Sequence, residues 1–79
     1  MEPAKQELTF GEKAVGLTFN PSNDETVQLI KKQFASIIDT CNHHREVAAD
    51  PEKKRMYSVA ITEAQGAQMW AVKAATWGK

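Results

Sequence analysis

DPEKKRMYSVAITEAQGAQMWAVKAATWG, residues 50–78, decides how the rest of this chain can fold. Asp50 stands at a capping position, Pro51 at the first helical position, no further Pro follows, and Gly78 closes the run, so the stretch reads as one long helix. At 1.5 Å per residue it spans roughly 40 Å. Ala60, Ala64, Gly66, Ala67, Ala71, Ala74 and Ala75 are spread around its circumference, with Met56, Met69, Trp70 and Trp77 between them. A helix with one apolar stripe needs one neighbour, whereas small residues on several sides admit other backbones from several directions.

The chain has 79 residues, a formal net charge of zero and 42% hydrophobic residues, which fits one soluble domain with little core of its own. Much of its burial is therefore expected from copies of itself. Cys41 is the single cysteine, so no internal disulfide contributes and a reducing compartment is expected. The opening MEPAKQELTF lacks the basic-then-apolar order of a signal peptide, and no apolar run approaches the roughly 20 residues that cross a bilayer. The expectation is a cytosolic protein without membrane contact. Residues 50–79 hold five bases against three acids, and the only acid beyond Arg55 is Glu63. That excess is too weak for a coat on duplex nucleic acid, but it leaves small anions as ligands.

Residues 1–21 contain Pro3, Gly11, Gly16 and Pro21, and repeat Leu8-Thr9-Phe10-Gly11 as Leu17-Thr18-Phe19-Asn20. Each Leu-Thr-Phe favours extended backbone, and Asn20 is pushed the same way by Pro21. The reading is an extended arm with a single helical turn across residues 12–15. The arm lies on another chain or holds a ligand, or else Phe10 and Phe19 simply pack on the helices. Ser22 and Glu25 have the S-x-x-E spacing of a capping box, so a first helix is expected from about Asn23 to about Ala48. Val27, Ile30, Phe34, Ile37, Ile38 and Cys41 recur at the period of one buried helical face. The short link around residues 49–51 turns the chain back, so residues 22–79 form an antiparallel helical hairpin with helices at about 23–48 and 51–77.

On the second helix, Met56, Val59, Ala60, Ala67, Trp70, Ala74 and Trp77 make a stripe suited to the first helix, interrupted by Glu63. A neighbouring face, Ile61, Ala64, Gln65, Gln68, Val72 and Ala75, is assigned to contacts between subunits. Gln65 and Gln68 there hydrogen-bond across a symmetric interface or face a ligand.

Catalytic constellations are poorly represented. Cys41 and His44, at i and i+3, offer two metal ligands but need a third, and Cys41 continues the apolar stripe. Glu63 has no second carboxylate placed to share acid and base work, and Gly11 and Gly16 lack the Lys-Ser/Thr of a phosphate loop. No enzyme, metal or cofactor is expected. Lys53-Lys54-Arg55 in the first turn of the second helix sit unfavourably against its dipole; they are a solvated charge run or a phosphate site. Lys31 and Lys32 form a second candidate, near Phe19 if the arm folds back: a phenyl face for a base beside an ammonium for a phosphate.

The capped first helix preceded by an aromatic residue, the chain length, and above all the run AITEAQGAQMWAVKA over residues 60–74 resemble the small phage anti-CBASS proteins that sequester cyclic oligonucleotide signals. The likeness spans about residues 17–77. It implies an all-α hairpin with an N-terminal arm, assembling into a dimer-based helical homo-oligomer, typically a hexamer, in the cytoplasm of the infected bacterial host. It further implies that second messengers, such as cyclic GMP-AMP, are held without cleavage. The family stacks a purine on an aromatic residue just before the first helix, which looks like Phe19, and contacts phosphate through a lysine, for which Lys31 and Lys32 are the matches. A separate pocket for cyclic trinucleotides looks to fall on Thr62 and Gln65, although the Arg that often precedes that Thr is Ile61 here. The partners expected are thus cyclic di- or trinucleotides and further copies of the chain. The rival reading is a non-enzymatic helical adaptor whose oligomeric surface binds another protein.

Overall fold

Asp50 and Pro51 do begin the long helix. The computed structural model describes residues 7–78, and within them the chain forms α1 (Phe10–Ala14), α2 (Glu25–Val47) and α3 (Pro51–Ala75). The Asp50 carboxylate accepts from the Glu52 amide at 2.9 Å, and Pro51 occupies the position whose amide would have no partner in any case. At the other end Thr76 caps α3, its amide donating to the Val72 carbonyl at 3.0 Å, and Gly78 follows in the left-handed region at φ 83°.

The start of α2 differs from the expected capping box. Asp24 is the cap, its carboxylate accepting from the amides of Thr26 at 2.8 Å and Val27 at 3.2 Å. A turn explains why Ser22 cannot serve. The Asn23 amide donates to the Asn20 carbonyl, and Asn23 sits at φ 53°, a conformation asparagine tolerates better than most residues. The Asn20 side chain then brackets Asp24, donating to its carbonyl at 2.9 Å and accepting from its amide at 3.1 Å. The helix leaves at Val47, one residue before the expected end, because Ala48 is extended.

Residues 9–18 are not extended. A true capping box lies at Thr9 and Glu12, each side chain accepting from the other residue's amide, so the helical turn starts at Phe10 instead of Glu12. Gly16, at φ 63°, and a Phe19 amide bond to the Gly16 carbonyl at 2.9 Å turn the second Leu-Thr-Phe back towards α2. α1 docks on α2 through Gly11. Its amide donates to the Asp39 carboxylate at 2.7 Å, the Thr9 hydroxyl donates to the same group at 2.7 Å, and a β-carbon on Gly11 would stand 2.1 Å from the Ala35 carbonyl oxygen. Only glycine allows so close an approach.

The hairpin is antiparallel along its length. Ile38 of α2 and Ile61 of α3 share the core with Val15 and Ala35, and Arg45 reaches across to donate to the Ser58 hydroxyl at 3.0 Å. Ile38 has no accessible surface, a burial that stabilises the fold by about 2 kcal/mol. Two expectations are corrected here. Ile37 is 54% exposed, because Ile38 takes the inward position and a residue one step along a helix points some 100° away. On α3 the two faces are exchanged: Ile61, Ala64, Gln65, Gln68 and Val72 turn inward, whereas Met56, Val59, Ala60, Ala67, Trp70, Ala74 and Trp77 are exposed. Both faces are apolar, so periodicity alone could not choose between them; the smaller side chains won because α1 and α2 both approach on that side. The Gln65 amide donates to the Ala14 carbonyl at 3.4 Å, so α1 rests against α3 as well.

Candidate functional site

Because the Gly16 turn and the Asn20 bracket fix both ends of the segment before α2, Phe19 is held at the surface, 73% exposed. Beneath it lies Lys31, on the second turn of α2 and only 5% exposed. Its ammonium donates to the Gly16 carbonyl at 2.9 Å and to the Phe19 carbonyl, and stands 5.6 Å from the centroid of the Phe19 ring. A cation at that distance is attracted to the ring's negative face. Side chain and main chain of one residue are thereby both tied to one ammonium.

Phe19 and Lys31 line a cleft of about 240 Å³ together with Asn20, Pro21, Ser22, Val27, Val72 and Thr76. One wall is the loop before α2, the floor is the first turns of α2, and the far wall is the last turn of α3, brought there by the antiparallel course of the hairpin. The Thr76 hydroxyl donates to the Val72 carbonyl at 2.9 Å, which leaves its oxygen to accept from a guest. The arrangement joins an aromatic face, an ammonium, an apolar wall and a hydroxyl acceptor, the chemistry that suits a base carrying a phosphate.

The other expected site residues fall elsewhere. Lys32 is exposed and is not among the residues that line this cleft. Thr62 is exposed, and Gln65 is half-buried against Ala14; they lie on α3 roughly 15 Å and roughly 10 Å along the axis from Val72, and neither is among the residues that line the Phe19 cleft. Sequence reading missed Val72 and Thr76 as cleft residues. The signal was present in the hairpin itself, since an antiparallel partner beginning near residue 51 must end beside the start of α2.

The remaining candidates resolve into local pairings. Arg55 Nε donates to both carboxylate oxygens of Glu52, at 2.6 and 2.9 Å, so the basic run at the start of α3 is partly neutralised within its own turn. Cys41 is a free, half-buried thiol, and the His44 ring packs 6.1 Å from that of Tyr57. Among the described residues no group of three or more His, Cys, Asp or Glu side chains could hold a metal ion. No helix among them is long and apolar enough to cross a membrane.

A second aromatic cluster lies on the outward face of α3. Trp70 and Trp77, 72% and 77% exposed, flank the Lys73 ammonium at 5.2 and 5.9 Å, above a groove of about 450 Å³ shared with Ala74.

Residues 12–76 match the sequence profile of the Acb2/Tad1 hairpin domain. No curated protein and no solved structure matches the chain.

Proposed function

The chain belongs to the Acb2/Tad1 hairpin family, phage anti-defence proteins that bind and sequester cyclic oligonucleotides, and from that premise we propose that it is a sponge for a cyclic dinucleotide second messenger. The Phe19 ring stacks on a purine, Lys31 supplies the cation for a phosphate, and Val72 with Thr76 forms the opposing wall. The exposed Phe19 ring above a buried ammonium, at the mouth of a cleft, carries this reading. Lys32, on the solvent side of the same helix, serves a phosphate that protrudes from the cleft. Thr62 and Gln65 belong to a second, trinucleotide site, which this chain completes only with further copies.

A cyclic dinucleotide carries two bases and two phosphates, and a symmetric pair of chains supplies each recognition element twice. The outward face of α3, with Met56, Val59, Trp70 and Trp77, is apolar enough to join such copies into a dimer-based hexamer. The ligand is held without bond cleavage in the cytoplasm of the infected bacterium, and the host effector that awaits it stays inactive.

Titration calorimetry with 3′,3′-cyclic GMP-AMP on protein of known native mass tests the proposal, followed by recovery of the ligand from the denatured complex. Saturable binding at micromolar affinity or tighter, with intact ligand returned, is expected; recovered cleavage products would make it an enzyme. The same outward face of α3 supports one rival, an adaptor that docks another protein there. Under that rival neither this ligand nor a cyclic trinucleotide gives heat, and Phe19→Ala changes nothing in the partner's binding.

A further inference from the structure

We infer that Lys31 is a positioning residue for the stacking loop, holding Phe19 in its binding geometry before a ligand arrives, a role that rests on the sponge reading and goes beyond a phosphate contact.

Burial is the first ground. A lysine on the second turn of an exposed hairpin normally extends its stem and keeps its head in water, yet Lys31 is 5% exposed. Its head is instead satisfied by the carbonyls at the two ends of the turn from Gly16 to Phe19. The Gly16 carbonyl also accepts from the Phe19 amide, so that turn closes on itself and on the ammonium at once. Without the cation, two carbonyls that now face a positive charge lose their strongest partner.

Geometry is the second. The same ammonium lies 5.6 Å from the Phe19 ring centroid, which draws the ring over the cleft and away from free rotation in solvent. An ammonium has three N–H donors, and the two carbonyls take two of them. One remains for a ligand phosphate. The ligand therefore meets a loop already ordered, and the ordering cost of binding is removed in advance.

A double-mutant cycle with hydrogen exchange tests the role on the full chain. In the ligand-free protein, Lys31→Met should speed amide exchange at Phe19 while amides in the middle of α2 and α3 keep their protection. Affinity for 3′,3′-cyclic GMP-AMP should fall by about 100-fold in Lys31→Met and by a similar factor in Phe19→Ala, with the double variant much less impaired than the product of the two. Such coupling is what a positioning role requires, and general damage to the fold would not produce it. Unchanged exchange at Phe19 together with multiplying losses would overturn the inference and leave Lys31 a phosphate contact alone. If the wild-type chain binds no cyclic nucleotide while Lys31→Met still frees the loop, the sponge reading fails and the clamp on Phe19 stands.

Discussion

Lys31 and Lys73 both lie beside aromatic rings, yet they are built differently. Lys31 has one ring at 5.6 Å, is almost fully buried, and spends its donors on main-chain carbonyls of a loop. Lys73 has two indoles, at 5.2 and 5.9 Å, and is exposed, and its ammonium makes no hydrogen bond to a described residue. Counting rings alone would rank the Lys73 cluster higher. A cation that is screened by water adds little, whereas one that is buried and hydrogen-bonded orders what surrounds it. Aromatic and cation in proximity are therefore weak evidence for a ligand site until the cation is seen to hold something in place.

Gly11, which touches neither lysine, separates the two clusters with the largest expected effect. Gly11→Ala places a methyl against the Ala35 carbonyl, so α1 should detach, with about 3 kcal/mol or more lost in urea unfolding and amide protection gone over residues 9–18. The Lys31 clamp loses its support, while emission from Trp70 and Trp77, the only tryptophans, should stay as it was. Unaltered protection over residues 9–18 would show that the Gly11 contact is not what docks α1. Lys31→Met comes next, with about 2 kcal/mol lost from stability by the same urea measurement, because charge-assisted bonds to two carbonyls vanish. A loss below about 0.5 kcal/mol would place Lys31 on a par with Lys73.

Phe19→Ala separates binding from folding. Phe19 is mostly in solvent, so the unfolding midpoint should scarcely move, a change within about 0.5 kcal/mol, while calorimetric affinity for the dinucleotide drops by about 100-fold. Smallest of all is Lys73→Met, expected to alter stability by less than about 0.5 kcal/mol and to leave dinucleotide affinity as in the wild type. A large affinity loss there would move the ligand from the Phe19 cleft to the outward face of α3.

Some of this was legible in the chain and some was not. The hairpin followed from the breaker pattern: Asp50-Pro51 between two long runs of helical period admits little else. Phe19 is also set beside Lys31 and Lys32 by the sequence, on the supposition that the segment before α2 folds back, but the choice between the two lysines is not legible there; Lys31 is the one whose ammonium lies against the ring. What failed did so for physical reasons. Ser22 and Glu25 have capping-box spacing, but a left-handed Asn23 and an Asn20 side chain bonded to Asp24 move the cap two residues on. The capping box at Thr9 and Glu12 was overlooked because Leu-Thr-Phe suggested a strand, and local propensity yields to a docking contact of the kind Gly11 makes with Asp39. The inward face of α3 was misassigned since both faces are apolar. The burial of Lys31 could not be read from its type, and it became visible only with the carbonyls in place.

The far wall of the cleft has a consequence for when this protein becomes competent. The hydrogen bonds that tie α1, the Gly16 turn and Phe19 to α2 span only 12 to 30 residues, whereas the core around Val15 also needs Ile61 of α3. Val72 and Thr76 are among the last of the described residues to be synthesised, and the cleft has only one side until they arrive. A chain whose synthesis has not reached α3 therefore lacks both the far wall of the cleft and the Ile61 side of the core. On the proposed sponge reading, a chain interrupted before residue 72 should bind no dinucleotide at the Phe19 cleft, because that cleft keeps only the wall and floor built before α3.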